Sequence, residues 1–133
     1  MLVYLDSAIC LYAVEGPPAL RQRAAARLAA IAAAGDSFAV SDLSWVECRV
    51  KPMRLGDSAA LAEMERFLGS PGIDRLPISA AVCEQACRLM AGQRIKTADA
   101  LHLGAAIEGG CSVFLTNDVR LLQVSGIAVE ALP

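Results

Sequence analysis

Short apolar runs alternate along this chain with longer segments in which apolar residues recur every three or four positions. The short runs are typical of buried strands, and the longer pattern is typical of helices with one buried face. The strands are predicted over residues 2–5, 38–40, 76–78, 112–116 and 127–131. The helices are predicted over residues 19–34, 41–50, 57–68, 79–92, 97–109 and 118–124.

Strands that alternate with helices favour parallel pairing, with helices on both faces of the sheet. We therefore predict an α/β fold, a three-layer α/β/α sandwich around a mainly parallel five-stranded sheet. The length of 133 residues suits one compact domain, so residues 1–133 are expected to form a single domain. Pro52 is expected to end the helix that Ser41 begins, and Pro77 places its strand at an edge of the sheet.

Composition limits the kinds of partner. Hydrophobic residues make up 56% of the chain and aromatic residues only 5%, so the core must consist of Ala, Leu, Val and Ile. The net charge of −2 excludes the overall basic surface of a typical duplex-DNA binder. Local basic clusters remain possible, and two occur, Arg21/Arg23/Arg27 and Arg49/Lys51/Arg54.

The five cysteines indicate a reducing compartment. Their number is odd, and we see neither a signal-like segment nor a run long enough to span a membrane. We therefore expect free thiols, a cytoplasmic location and no membrane association. Cys83 and Cys87 share a predicted helix, but no second Cys or His pair completes a zinc site, so both are expected to be small buried residues.

Four acidic residues are expected to meet at one edge of the sheet. Asp6 directly follows the first strand, and Asp118 follows the fourth. The carboxyl ends of parallel strands share an edge, and binding sites form there. Glu47 lies in the helix that follows the second strand, and Asp99 lies in the first turn of the helix for which Thr97 is the expected cap.

Four neighbouring carboxylates repel one another unless a cation lies among them. Oxygen ligands without Cys or His favour Mg²⁺ or Mn²⁺ over Zn²⁺. Such an ion binds a phosphate oxygen and lowers the pKa of a bound water, which is the chemistry of phosphodiester hydrolysis. The sequence thus predicts a metal-dependent phosphodiesterase.

Four segments in order along the chain carry a family resemblance. They are similar to the four acidic motifs of PIN-domain proteins, and the match is best to the VapC-type toxins of bacterial toxin–antitoxin pairs. The resemblance covers nearly the whole chain. The segments are Leu5-Asp6-Ser7-Ala8, Ser44-Trp45-Val46-Glu47, Thr97-Ala98-Asp99-Ala100-Leu101-His102-Leu103 and Phe114-Leu115-Thr116-Asn117-Asp118.

The resemblance implies a PIN-like fold and a Mg²⁺-dependent endoribonuclease, with Mn²⁺ able to substitute. It also implies an RNA substrate, a cognate antitoxin protein and a homodimer. Asp6 and Asp99 match the residues that hold the metal most directly, and Glu47 and Asp118 match the acids that hold metal-bound water. The supporting polar residues are Ser7, Thr116 and Asn117. Gly104 departs from the usual Ala, which is expected to weaken its helix.

Each acid also has a structural alternative. Glu47 could form a capping box with Ser44, Asp99 could interact with a helix dipole, and Asp118 could cap the helix that it begins. Asp6 is the hardest to explain in this way, because it follows an apolar strand directly.

Other candidate residues have structural interpretations too. Asp42 is expected to be a first-turn helix acid, His102 a hydrogen-bonded structural residue, and Trp45 a core or dimer-interface ring. Arg49 and Lys51 could contact phosphate or face solvent, and the sequence does not decide between these.

Two other functions stay open. The first is a catalytically inactive PIN-like module that binds RNA or acts as a scaffold, although such a module has no need of four repelling carboxylates. The second is a phosphoacceptor domain of receiver type. That chemistry needs paired acids after the first strand and a lysine near the last, and here Ser7-Ala8 follows Asp6.

Overall fold

The computed structural model describes residues 1–132 and contains one five-stranded sheet. All four strand pairings are parallel, in the order β3-β2-β1-β4-β5. The elements in chain order are β1 (Leu2–Leu5), α1 (Ser7–Glu15), α2 (Pro18–Ala33), β2 (Ser37–Ser41), α3 (Asp42–Arg54), α4 (Ser58–Leu68), β3 (Ile73–Leu76), α5 (Ala80–Gly92), α6 (Thr97–Glu108), β4 (Val113–Thr116), a 3₁₀ helix (Val119–Gln123) and β5 (Ala128–Ala131).

Helices cover both faces of this sheet, so the predicted three-layer sandwich is confirmed. Side chains alternate along β1: Val3 and Leu5 pack on one face, and Tyr4 packs on the other. Residues of α1 to α4 complete the first core, and residues of α5 and α6 complete the second. The central strand β1 pairs with β2 on one side and β4 on the other, so a crevice opens at the carboxyl ends of β1 and β4.

Several predicted boundaries were wrong. Helix α3 does not end before Pro52; it continues to Arg54, the proline is buried within its last turn, and the Leu55 N–H donates to the Lys51 carbonyl at 3.0 Å. Strand β3 is an edge strand, as predicted, but it covers residues 73–76, because Pro77 lies outside the ladder. The segment after Asp6 forms helix α1, which was not among the predicted helices.

The expected cap and the expected thiol burial were also wrong. Lys96 occupies the cap position of α6, and Thr97 is its first helical residue. Cys83 and Cys87 are exposed. Each thiol follows directly after a buried residue of α5, Val82 or Ala86, so it lies about 100° around the helix from the buried face. The remaining cysteines, Cys10, Cys48 and Cys111, are buried free thiols.

Membrane-spanning segments were not expected from the sequence. Within residues 1–132, no helix has the length and apolar character needed to cross a bilayer.

Helices α5 and α6 pack closely at Gly104, which lies in the buried part of α6. A methyl group added there would lie 2.9 Å from the Val82 carbonyl oxygen and 3.4 Å from the Ala86 backbone nitrogen, both in α5. The glycine therefore permits close helix packing, which a larger side chain would prevent.

We predict that Gly104→Ala destabilises the protein by about 1–3 kcal/mol, because two backbones must separate to admit the methyl group. The free energy of unfolding in urea measures this effect. Gly92→Ala is the matched control at the end of α5, where an added methyl group meets nothing within 4 Å. The control should be neutral or stabilising by up to about 1 kcal/mol. A Gly104→Ala variant as stable as the control would contradict the packing argument.

Candidate active site

Asp6 is fixed at the junction of β1 and β4. Its backbone N–H donates to the Leu115 carbonyl at 2.9 Å, which extends the pairing of the two strands by one bond. Its carboxylate accepts the Ser7 backbone N–H at 2.9 Å and the Thr116 hydroxyl at 2.7 Å. The residue is only 8% exposed, and it also caps helix α1. Asp6 therefore presents a buried, oriented carboxylate at the carboxyl ends of the central strands.

Asp99 faces the same crevice from the first turn of α6. Burial is the largest cause that raises its pKa, and the negative charges of Asp6 and Asp118 raise it further. His102 and Lys96 act in the opposite direction. The structure thus brings three of the four predicted acids within electrostatic reach of one another.

Asp118 follows β4 and is held by Arg120. The Arg120 guanidinium contacts the two carboxylate oxygens at 3.0 Å and 2.6 Å, and this ion pair is the main cause that lowers the pKa of Asp118. Asp118 also caps the 3₁₀ helix by accepting the Arg120 backbone N–H at 3.0 Å. Asp118 therefore does cap the helix that follows it, as the structural alternative proposed, and it still lies close enough to act on Asp99.

Glu47 reaches the site from α3 and is held by different partners. Its Oε1 accepts the Ser7 hydroxyl at 2.7 Å and lies 2.5 Å from His102 Nε2. The contact with His102 is the main cause that lowers the pKa of Glu47. The alternative capping box with Ser44 was wrong. Because α3 begins at Asp42, the Ser44 hydroxyl instead accepts the Ser41 backbone N–H at 3.0 Å.

His102 connects Glu47 to the core of the sheet. The imidazole is 2% exposed, and its Nδ1 lies 2.7 Å from the Tyr4 hydroxyl. That hydroxyl is hydrogen bonded to Ser41 Oγ at 2.8 Å, and burial raises the pKa of Tyr4 so that it stays protonated. The histidine is hydrogen bonded, as the sequence led us to expect, and these bonds orient Glu47.

The supporting residues divide into two groups. Ser7 and Thr116 contact the acids directly, and the Thr116 hydroxyl also accepts the Asp118 backbone N–H at 3.1 Å. Asn117 is exposed, and its amide donates to the Tyr12 hydroxyl at 2.7 Å. Sequence reasoning missed Tyr12, Lys96 and Arg120, because single polar residues in different elements carry no signal that they will meet.

The other singled-out residues lie away from the acids. Asp42 is the first residue of α3 and pairs with Arg75 at 2.7 Å, as a first-turn acid. The Trp45 ring packs on the core with the guanidinium groups of Arg49 and Arg75 over it, at 5.2 Å and 4.6 Å. Arg49 also pairs with Glu65 at 3.0 Å. These contacts occupy Arg49 in structural interactions.

The donor groups suit a hard cation, but their side chains are not arranged around one. Across residues 1–132, no three carboxylate, imidazole or thiol groups form a cluster that could hold a metal ion. The reason is visible in the contacts, because Glu47 is turned to His102 and Asp118 to Arg120. The Asp118–Arg120 pair is weak, because Arg120 is 70% exposed and water screens its charge. Carboxylate oxygens are the ligand type that Mg²⁺ prefers, but in this arrangement Arg120 occupies both oxygens of Asp118.

The Glu47–His102 contact predicts a pH-dependent contribution to stability. Because the folded-state pKa of Glu47 is lowered, its stabilisation is present above the ordinary glutamate pKa of about 4.3 and is lost as pH falls through the folded value. We expect wild type to exceed Glu47→Gln in free energy of unfolding at pH 7, measured in urea with EDTA. The difference should shrink steadily in acid. A difference that stays constant from neutral pH to acid would contradict this assignment.

For Asp99, we predict that the charged carboxylate lowers the free energy of unfolding at neutral pH, the opposite of the effect at Glu47. Its raised pKa means that the charged form opposes folding at neutral pH when no cation is bound. Asp99→Asn should therefore stabilise the metal-free protein at pH 7, by less than about 1 kcal/mol because the side chain is only half-buried. The advantage should vanish as pH falls and the aspartate gains a proton. Thermal unfolding in EDTA tests this, and a destabilised variant at pH 7 would count against carboxylate repulsion.

Comparison with known proteins supports the sequence resemblance. The family model of the PIN domain matches residues 3–127. No curated protein sequence gives a significant match. Solved structures do match: VapBC2 from Rickettsia felis bound to a promoter DNA fragment has a TM-score of 0.82 at 19% identity over 100% of both chains. DNA-bound VapBC from Salmonella typhimurium has a TM-score of 0.77 at 20% identity, also over 100% of both chains.

A third structure has a stated activity. VapC20 from Mycobacterium tuberculosis, described as a toxin that cleaves the sarcin–ricin loop, has a TM-score of 0.65 at 14% identity over 84% of this chain and 86% of its own. Likenesses at such low identity establish a shared fold. The family model, however, spans nearly all of the sequence, so the chain belongs to the PIN domain family.

Proposed function

We propose that this protein is a Mg²⁺-dependent endoribonuclease, the toxin of a toxin–antitoxin pair, and that it acts on RNA in the cytoplasm. The observation that carries the proposal is the meeting of Asp6, Asp99 and Asp118 at the β1–β4 crevice, where burial and then the charges of the other two acids raise the pKa of Asp99. Mn²⁺ would serve in place of Mg²⁺. The RNA-cleaving toxin among the structural neighbours supports the choice of reaction.

Each acid has a distinct role in this proposal. Asp6 and Asp99 would hold the ion, because one is rigidly oriented and the other gains most from a neighbouring cation. Asp118 and Glu47 would position water on either side. Bound Mg²⁺ would supply the Lewis acidity that lowers the pKa of water and stabilises charge on the phosphate. Ser7 and Thr116 would keep the carboxylates in place by donating hydrogen bonds.

The partners belong to the same proposal. The structural neighbours include complexes with antitoxins, so we infer a cognate antitoxin for this chain and a homodimeric toxin. Arg120 shows how an arginine engages the site, since it binds both oxygens of Asp118. An antitoxin arginine or lysine placed in the crevice would likewise substitute for the metal charge.

Removal of one metal-holding carboxylate should abolish cleavage. We predict that Asp6→Asn and Asp99→Asn each lower the rate of RNA cleavage in Mg²⁺ by about 100-fold or more, because the ion loses a charged ligand. Asp74→Asn is the matched control, on edge strand β3 two strands from β1, and should cleave at the wild-type rate. Mapping RNA 5′ ends after induction of each variant identifies the target as well. Wild-type cleavage by Asp6→Asn would show that the assigned site is wrong.

Metal binding can be followed without activity. We predict that Mg²⁺ raises the thermal midpoint of wild type in proportion to the logarithm of its concentration above Kd, because it binds only the folded state. The shift should be much smaller in Asp99→Asn and unchanged in Asp74→Asn. RNA binding with no cleavage and no Mg²⁺ shift would instead favour the catalytically inactive binding module.

A further inference from the structure

Three adjoining cavities lead away from the acidic cluster along one side. The innermost, of about 90 Å³, is lined by both Asp99 and Asp118. It continues into cavities of about 360 Å³ and 460 Å³, and all three share Arg94, Ile95 and Arg120 as lining residues. We name this surface the basic groove and define it by Gln93, Arg94, Ile95, Lys96, Arg120 and Gln123.

Within the described residues, Arg94 and Lys96 of the basic groove lack the close ion pairs that several other arginines form. Arg27, Arg49 and Arg75 are each paired with a carboxylate at 2.7–3.0 Å. Within residues 1–132, exposed Arg94 and Lys96 have no carboxylate within 4.0 Å. The groove thus carries positive charge that the described part of the protein does not neutralise by a direct ion pair.

This positive charge reaches the acids themselves. Lys96 is close enough to act on both carboxylates, because its positive charge is a minor cause that opposes the rise in the pKa of Asp99 and adds to the lowering of the pKa of Asp118 by Arg120. Arg120 lies at the boundary, because it binds Asp118 and lines all three cavities. A ligand that follows the groove towards the acids therefore meets cations along its whole path.

The walls of the groove are tied together. The Gln93 side-chain oxygen accepts the Ser125 backbone N–H at 3.2 Å, which joins the segment before α6 to the segment after the 3₁₀ helix. Ile95 and Val124 are half-buried between these walls and pack on the core. The groove thus places cationic side chains beside two half-buried aliphatic residues, and this lining suits a ligand with regularly spaced negative charges.

We propose that the basic groove binds the phosphates of single-stranded RNA on one side of the bond to be cleaved. The inference rests on the proposed function, since it extends the same site. Arg94 and Lys96 are positioning residues that hold phosphates beyond the reacting one. Arg120 would contact a phosphate in place of Asp118 if that carboxylate held a metal ion.

The two basic clusters of the sequence, Arg21/Arg23/Arg27 and Arg49/Lys51/Arg54, are less suited to hold RNA phosphates near the acids. Arg27 pairs with Glu130 on β5, and Arg49 pairs with Glu65 on α4. None of the six residues of those clusters lines a cavity that contains Asp99 or Asp118. The cations that face the acids are instead spread singly over the segment before α6 and the 3₁₀ helix.

The test measures RNA binding apart from cleavage. The probe is a fluorescein-labelled oligouridylate, and the protein carries Asp6→Asn so that the RNA stays intact. In this background we compare Arg94→Gln, Lys96→Gln and the double variant by anisotropy over a range of NaCl concentrations. Each single change should lower the slope of log Kd against log salt by about 0.7, and the double change by about twice that.

Arg66→Gln is the matched control, because it removes an exposed arginine of α4 that does not line the groove. Its salt slope should stay unchanged. Unchanged slopes in both groove variants would overturn the proposal, as would an equal loss in Arg66→Gln. Tighter groove-dependent binding of polyglutamate than of oligouridylate would overturn the RNA assignment.

The outcome is separable from that of the proposed function. In one outcome, wild type cleaves RNA, but the Arg94→Gln and Lys96→Gln variants show an unchanged KM and an unchanged salt slope. The nuclease assignment then holds, and the groove assignment fails. If wild type cleaves nothing but the slopes still fall in the groove variants, the groove assignment holds without the nuclease. In a nuclease with this groove, both variants should raise KM more than they lower kcat.

Discussion

Repulsion among carboxylates at the β1–β4 crevice is the constraint that shapes this end of the molecule. Asp6, Asp99 and Asp118 come from three elements, and their charges oppose one another. Asp6 is tolerated because it accepts a backbone N–H at the start of α1 and the Thr116 hydroxyl. The Asp99 carboxylate has fewer such stabilising contacts, so the charged form that is most destabilised is that of Asp99. Under the proposed function, a bound cation would relieve the repulsion among the three carboxylates, and metal binding would then be coupled to stability.

Two of the acids are held in ways that differ in strength. Glu47 is fixed through His102 and Tyr4 to the buried face of the sheet, and the imidazole in this chain is almost inaccessible to water. Asp118 is held by Arg120, a mostly exposed side chain only two residues away. A buried network costs more to rearrange than an exposed pair. Glu47 is therefore preorganised, whereas Asp118 is free to change its partner.

Sequence patterns predicted what depends on a single element. An apolar strand followed by Asp6, and another followed by Asp118, placed both acids at the correct end of the sheet. Sequence patterns failed where packing between neighbouring helices determines which side chains are buried. Cys83 and Cys87 are exposed because α6 packs against the adjacent face of α5, and Gly104 permits that packing instead of weakening its helix. The contacts of Arg120 and Lys96 arise only after distant segments have met.

Net charge is likewise a poor guide to binding, because it sums charges that lie too far apart to act on the same ligand. At physiological salt the screening length is about 8 Å, so a ligand responds to the charges around it and not to the total of −2. Here Arg94, Lys96 and Arg120 lie beside a cluster of acids on one side of the molecule. An RNA strand would be repelled by the acids alone. Under the proposed function, the strand would approach them when Arg94, Lys96 and Arg120 hold its neighbouring phosphates and a metal ion neutralises the crevice. The basic groove and the acidic crevice would then act as parts of one site.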